Sequence, residues 1–249
     1  MVLIDTHCHI HESDYPLDID ATLQHARSQG VERLICVGTS EESSRRATSF
    51  ALEHDEAFAS VGVHPHDTKD GYSDIELLVK SNKVVAVGEI GLDFFYTHSP
   101  REVQIQALEW QIDLALQSNL PIIFHVREGF DDFWPIFDNF TGIRGVLHSF
   151  TDNQANLDTA LSRGLYIGVN GISTFTRYVA QKAVFTTIPL GRLLVETDAP
   201  FLTPTPFRGK INEPAFVKNV AEYNAALRGI SLEEIAAATT TNARALFAL

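Results

Sequence analysis

Short, nearly continuous apolar runs recur along the chain, and segments with helical spacing separate them. Eight runs are rich in branched residues, at positions 2–6, 33–38, 58–64, 84–90, 121–126, 144–150, 165–170 and 192–197. Such runs are typical of strands buried on both faces of a parallel sheet. Apolar residues at helical intervals predict helices over 18–30, 99–119, 212–229 and 231–247. Gly30 is predicted to end the first helix, and Asn212 and Ser231 to cap the starts of the last two.

Eight strands that alternate with helices over 249 residues predict an α/β fold, a (β/α)8 TIM barrel. A doubly wound open sheet is the alternative, but no Gly-x-Gly-x-x-Gly follows the first strand to support a dinucleotide site. The chain has no linker, low-complexity tract or clear repeat. We therefore predict one domain over residues 1–249.

Composition narrows the classes of function. A formal net charge of −13 argues against a protein that coats nucleic acid through bulk positive charge. The two cysteines, Cys8 and Cys36, fit neither a disulfide framework nor a cysteine zinc site. We find no secretory signal and no apolar stretch long enough for a membrane span. These features predict a cytoplasmic protein that contacts no membrane, and no obligate protein partner is inferred.

Titratable residues end six of the predicted strands, at the edge where a barrel carries its active site. They are His7 and His9, His64, Glu89, His125, His148, and the pair Glu196 and Asp198. One buried histidine is most often a core residue, but a whole set of polar groups on apolar strands is costly to bury. A metal ion removes that cost, because it pairs with neutral imidazoles and ionised carboxylates.

The first strand carries two of these residues at a spacing that suits a metal. His7 and His9 lie on one face of the strand, while Cys8 points to the other. The candidate ligands are His7, His9, Glu89, His125, His148 and Asp198. Six ligands are more than one tetrahedral site needs, so they predict two divalent ions. Glu89, on the fourth strand, is placed to bridge the ions, and two ions can clamp the oxygens of a displacement reaction.

Several motifs, in order, make the chain resemble the TatD-like metal-dependent hydrolases, the TatD DNases, among the amidohydrolase-like barrels. They are "DTHCH" (5–9), "GVHPH" (62–66), "GEIGLDFFY" (88–96), "LPIIFHVRE" (120–128), "LLVETDAPFLTP" (193–204) and "FRGKINEPAFV" (207–217). The resemblance implies hydrolysis of DNA phosphodiesters, often as a 3′-5′ exonuclease. It assigns His7, His9, Glu89 and Asp198 to one ion, and Glu89, His125 and His148 to the other.

One motif departs from the family pattern. The family's sixth strand usually ends in His-Cys-Phe-Ser-Gly, whereas this chain has "HSFTD" at 148–152. The ligand His148 is kept, but Ser149, Thr151 and Asp152 change the loop beyond it. Asp152 adds negative charge where a phosphate would approach, so the departure concerns the choice of substrate and leaves the metal ligands in place.

The predicted reaction is attack of a metal-activated water on phosphorus, with Asp198 and Glu89 as catalytic residues. Asp198 orients the water and accepts its proton. His64, Arg127, Arg208 and Lys210 are the candidate contacts to DNA or another phosphodiester. Glu196, deeper on the same face as Asp198, is interpreted as a partner of a ligand, and Asp93 either orients a ligand or caps a loop.

Two other classes of function stay open from the sequence. One is a hydrolase of a cyclic amide, a lactone or an aminated base, although such barrels commonly bridge their metals with a modified lysine where this chain has Glu89. The other is a binding protein whose metals only stabilise the barrel. Histidine and carboxylate ligands accept Zn, Mn, Ni, Co or Mg, so the metal's identity is not decided by the ligand set.

Overall fold

The computed structural model describes residues 1–96 and 98–249. Across these residues eight strands form one sheet, and each strand neighbours the next one along the chain. The strands are β1 (Leu3–Cys8), β2 (Val31–Val37), β3 (Ala57–Val61), β4 (Val84–Asp93), β5 (Ile122–Arg127), β6 (Gly145–Leu147), β7 (Tyr166–Val169) and β8 (Leu193–Val195). All ten positions of β4 are buried, as expected for a strand covered on both faces.

Helices occupy the connections between the strands. They are α1 (Ile19–Ser28), α2 (Glu41–Glu53), α3 (Ile75–Leu78), α4 (Arg101–Gln117), α5 (Phe130–Phe137), α6 (Gln154–Ser162), α7 (Ile172–Phe175), α8 (Val179–Thr187), α9 (Val217–Arg228) and α10 (Leu232–Phe247). The pairs β3–β4, β4–β5, β5–β6 and β7–β8 are parallel. This strand order and alternation confirm the predicted (β/α)8 fold class.

The chain folds into two compact units. Unit 1 comprises residues 1–35 and 148–249, and unit 2 comprises residues 36–147. In unit 1, α10 packs on β1 and β8 and buries Ile235, Leu246 and Phe247. In unit 2, α2 packs on β3 and α4 packs on β4. That residues 1–249 form one domain stays a prediction.

The local signals at helix ends were correct in two places and wrong in one. Ser231 caps α10, since its side chain accepts a hydrogen bond from the Glu234 N–H. Gly30 follows α1 with a φ of +86°, a backbone conformation that favours glycine. Asn212 does not cap α9, which begins at Val217 after a turn of 3-10 helix at Pro214–Phe216. The buried Asn212 side chain instead donates to the carbonyls of Thr197 and Phe201.

Several strands end earlier than their apolar runs predict, and for β6 and β8 the backbone shows the reason. β6 stops at Leu147 and β8 at Val195, whereas the runs extend to residues 150 and 197. Ser149 and Asp198 have φ values of +48° and +61°, in a region that non-glycine residues seldom adopt and that a strand cannot contain. The residues after β6 and β8 therefore turn out of the sheet. No helix among residues 1–96 and 98–249 has the length and apolar character that crossing a bilayer requires.

Candidate metal centre

His7 and His9 place their imidazoles together at the end of β1. His7 is buried on the strand and His9 follows it directly, and their Nε2 atoms lie 3.1 Å apart. Cys8 points to the other side of the strand, where its Sγ lies 3.5 Å from the carbonyl of Ile35. The alternation of side chains along a strand thus brings the two imidazoles to one point.

Asp198 joins this pair from the segment after β8. Its Oδ1 lies 3.3 Å from His9 Nε2 and 3.5 Å from His7 Nε2. Its backbone N–H donates to the His7 carbonyl at 2.8 Å, which helps to hold the unusual φ. Burial raises the pKa of Asp198, but the hydrogen bond with His9 and the charges of His7 and His148 offset it, so the pKa lies below its ordinary value.

His148 and Glu196 complete the group of ionisable side chains in unit 1. The His148 ring stacks on His7 with centroids 3.9 Å apart, and its Nδ1 lies 3.3 Å from Glu196 Oε1. Glu196 also accepts a hydrogen bond of 2.6 Å from the Ser149 N–H. Glu196 thus contacts both His148 and the residue after it, and donor atoms of His7, His148 and Glu196 lie within 4.8 Å of one another. Its role as a partner of a ligand stays a prediction.

A buried carboxyl group supports this cluster from within β1. Asp5 is fully buried, and it accepts hydrogen bonds from the Thr197 N–H at 2.9 Å and the Thr197 hydroxyl at 2.6 Å. Burial raises the pKa of Asp5 well above its ordinary value, although the bonds from Thr197 act in the opposite direction. Asp5 thereby connects the strand that carries His7 to the residue before Asp198. The sequence reasoning assigned it no role.

Unit 2 contains a second cluster, built on β4, β5 and the loop after β3. His125 Nδ1 lies 2.8 Å from Glu89 Oε1, and His125 Nε2 lies 3.0 Å from Asp93 Oδ2. His64 Nε2 lies 3.7 Å from the same Glu89 oxygen. Burial and the neighbouring His125 lower the pKa of His64 well below its ordinary value, against the opposing charge of Glu89. Donor atoms of His64, Asp93 and His125 lie within 4.8 Å of one another.

Asp93 is central to this second cluster. Besides facing His125, its Oδ2 lies 3.0 Å from His66 Nε2, and its Oδ1 accepts hydrogen bonds from the N–H groups of Phe95 and Tyr96. Burial raises the pKa of Asp93, but the bond from His125 and the other partners hold it well below its ordinary value. His66 was missed from the sequence, although its spacing from His64 repeats that of His7 and His9.

The three predicted cationic contacts lie against aromatic rings. The Arg127 guanidinium is 3.7 Å from the ring centroid of Phe95. Arg208 donates to the Thr203 carbonyl at 2.8 Å and lies 3.8 Å from the ring of Phe175. The Lys210 ammonium is 5.4 Å from the ring of Phe207. All three side chains are exposed, and their contact with phosphate stays a prediction.

The residues present fit divalent metal ions. Each unit brings together imidazole nitrogens and carboxylate oxygens with spacings that allow three donors to meet. Glu89, Asp93 and Glu196 are buried, so their charges are costly unless a cation or hydrogen bonds compensate them. Within residues 1–96 and 98–249 these groups of donors include no thiolate, which is typical of sites for Zn, Mn, Ni, Co or Mg rather than of structural cysteine sites.

Comparisons with known proteins agree with this fold and indicate its family. The family model described as TatD related DNase matches residues 4–248. The chain is 39% identical to the uncharacterized metal-dependent hydrolase YabD of Bacillus subtilis, with 99% of each chain covered. It is 35% identical to the 3'-5' ssDNA/RNA exonuclease TatD of Erwinia amylovora, over 99% of this chain and 100% of that one. YJJV, a TatD homolog from Escherichia coli K12, has a solved structure with a TM-score of 0.91 at 31% identity, covering 99% and 98% of the chains.

The chain therefore belongs to the TatD DNase family, and it is a metal-dependent hydrolase of that family. This confirms the family resemblance drawn from the motifs. The relatives include both uncharacterized hydrolases and proteins named as exonucleases, so membership of the family does not by itself identify the substrate.

Proposed function

We propose that this protein is a divalent-metal-dependent phosphodiesterase that removes nucleotides from the 3′ end of single-stranded DNA. The observation that carries the proposal is the pair of histidine–carboxylate clusters at the ends of parallel strands, in which β4 supplies a carboxylate, Glu89, paired with His125. A carboxylate at this position favours phosphoesters over the amides and lactones cleaved by barrels with a modified lysine. A relative named as a 3'-5' ssDNA/RNA exonuclease supports the same substrate class.

We take the assignment of ligands from the family resemblance. His7, His9, Glu89 and Asp198 hold one ion, and Glu89, His125 and His148 hold the other. Local geometry supports each half of the assignment: His7, His9 and Asp198 converge within 3.5 Å, and Glu89 and His125 lie 2.8 Å apart. When bound, two ions supply Lewis acidity that lowers the pKa of water and stabilises charge on the phosphoryl oxygens.

The side chains then have distinct tasks. Asp198, held by the His7 carbonyl at a fixed backbone angle, orients the attacking water and accepts its proton. Glu196 keeps the His148 ring in place through Nδ1, so that the other ring nitrogen is directed at the ligand site. His64, beside Glu89, donates a hydrogen bond to the substrate.

The net charge of −13 shapes how a polyanion is held. Such a protein repels DNA at long range, so affinity depends on the metals and on a few groups such as Arg208. We expect a shallow dependence of affinity on salt, reflecting about two or three phosphate contacts. Replacing Arg208 with Ala lowers that slope by about one if its guanidinium contacts a phosphate. An unchanged slope would remove Arg208 from the substrate site.

The test is hydrolysis of a short 5′-labelled single strand by protein stripped of metal and then loaded with Zn, Mn, Ni, Co or Mg separately. We expect a ladder of products shortened from the 3′ end, metal-dependent, and much slower cleavage of a blunt duplex. A lactone, a cyclic amide and an aminated base serve as competing substrates, and Glu89→Gln is the control for a contaminating nuclease. Turnover of one of these competitors without cleavage of any strand would refute the proposal.

A further inference from the structure

Two aromatic side chains lie exposed beside the second metal cluster. Phe95 and Tyr96 lie two and three residues past the end of β4, and they are 48% and 43% exposed. The guanidinium of Arg127 lies 3.7 Å from the Phe95 ring centroid and 5.1 Å from that of Tyr96. The Phe95 and Tyr96 rings meet edge to face, with centroids 4.7 Å apart. We call Phe95, Tyr96 and Arg127 the aromatic platform.

The aromatic platform is anchored to Asp93, the carboxylate at the centre of the second cluster. Asp93 Oδ1 accepts hydrogen bonds from the N–H groups of Phe95 and Tyr96 at 3.0 and 3.2 Å, while its Oδ2 lies 3.0 Å from His125 Nε2. Asp93 therefore fixes the position of the platform relative to His125. A group that rests on the platform is held beside any phosphate bound at this cluster.

Pairing between β4 and β5 holds Arg127 in its place within the aromatic platform. It pairs with Asp93 in the register of β4 and β5, and its carbonyl accepts a hydrogen bond from the Phe94 N–H at 3.0 Å. Arg127 follows His125 by two residues, so their side chains leave β5 on the same face. The guanidinium plane and the Phe95 ring are thus held together at the edge where the cluster lies.

We propose that the aromatic platform stacks an unpaired nucleobase of the substrate strand, next to the phosphate that is cleaved. This inference rests on the proposed function. Aromatic rings and guanidinium planes stack on the faces of all bases, so they bind single strands without sequence preference. A duplex keeps its bases stacked inside and offers no free face. In a chain with a charge of −13, stacking supplies affinity that a basic groove would otherwise provide.

The test measures how strands bind to the metal-loaded protein in an Asp198→Asn background, which slows turnover. Phe95→Ala and Phe95→Leu are compared with Tyr178→Ala, which removes an aromatic ring that is 77% exposed and outside both clusters. Each variant is titrated with a labelled single strand and with the same strand whose 3′-terminal nucleotides lack bases. A further strand carries 2-aminopurine at its 3′ end, because the fluorescence of this base falls when it stacks.

We expect Phe95→Ala to weaken binding of the normal strand about tenfold, within the range of stacking on one aromatic side chain. Phe95→Leu, which keeps apolar bulk but has no ring, weakens it similarly, while Tyr178→Ala has no effect. Loss of the bases weakens the parent to the level of Phe95→Ala, and Phe95→Ala then adds no further loss. The 2-aminopurine signal falls on binding to the parent and not to Phe95→Ala.

Equal affinity of the parent and Phe95→Ala for the normal strand, including no measurable binding by either, would overturn the proposal. So would an equal loss with the abasic strand, since the ring would then support the fold or contact the backbone. Thermal melting of each variant checks that the fold survives. If the parent stacks the base but hydrolyses no strand with any metal, the proposed function is refuted, whereas the proposal that the aromatic platform stacks a base is retained.

Discussion

Replacing Thr197 with Val removes one hydroxyl from a buried position between β8 and Asp198. The Thr197 side chain is fully buried, and its Oγ1 donates to Asp5 Oδ2 at 2.6 Å and accepts from the Ala199 N–H at 3.2 Å. Valine has the same branched shape, so the change leaves no large cavity. It does leave a buried acceptor on Asp5 and a buried donor on Ala199 without this partner.

The expected cost follows from these two groups. A buried polar group left unpaired costs about 1–3 kcal/mol, and the added methyl group returns about 0.8 kcal/mol of hydrophobic stabilisation. The two groups together then cost about 2–6 kcal/mol, so we expect Thr197→Val to lower the free energy of unfolding by about 1–5 kcal/mol. The same bonds hold the segment that carries Asp198, so kcat should fall as well, whereas KM changes little.

The assay is urea unfolding of the full chain, monitored by circular dichroism. Metal is removed beforehand, so that metal binding does not contribute to stability. Thr197→Ser keeps the hydroxyl and is the matched control, with an expected loss smaller than that of Thr197→Val. In a double-mutant cycle with Asp5→Ala, the two losses should fall short of additivity by about 0.5–3 kcal/mol, because both changes remove the same bond. Thr197→Val within about 0.5 kcal/mol of the parent, or strict additivity, would refute the reasoning.

Three further changes test the site. Glu89→Gln removes the charge assigned to both ions, so metal content measured by mass spectrometry should fall toward one ion or none. Turnover should fall by about two orders of magnitude or more. Full activity of this variant with metal in excess would contradict the two-metal assignment. Asp198→Asn should lower kcat far more than it raises KM in steady-state assays, and the reverse pattern would make Asp198 a substrate-binding residue. Gly168→Ala places a methyl group against the Glu196 carboxylate, so it should displace Glu196 from its hydrogen bond with Ser149. We expect kcat to fall about tenfold or more, because Glu196 orients His148. An unchanged kcat would show that Glu196 does not orient His148.

The strands and the candidate ligands could be predicted from the sequence because both depend on local pattern. Continuous apolar runs identify buried strands, and His7, Glu89 and His125 stand out as titratable residues within or beside them. That Glu89 and His125 lie side by side follows from a general property of parallel sheets, whose carboxyl ends lie at one edge. The motifs indicated the family for the same reason, because each is a short segment with fixed spacing between its residues.

Pairings between segments far apart in the chain were decided by the tertiary structure. Asp5 pairs with Thr197 across 192 positions, and no local pattern indicates that bond. Asn212 has the sequence features of a helix cap, yet buried carbonyls of Thr197 and Phe201 bind its amide, because an unpaired buried carbonyl costs more than a missing cap.

The surroundings of the charged residues likewise depended on packing. The sequence predicts Arg127 as a phosphate contact, and the register of β4 and β5 adds a neighbour that no local pattern indicates, the ring of Phe95. Asp93, ambiguous in the sequence, becomes the centre of a cluster because the fold directs His66 and His125 at one of its oxygens. Residue type and spacing determine what a side chain can bind, whereas the partners that it does bind depend on which distant segments the fold brings within hydrogen-bond distance.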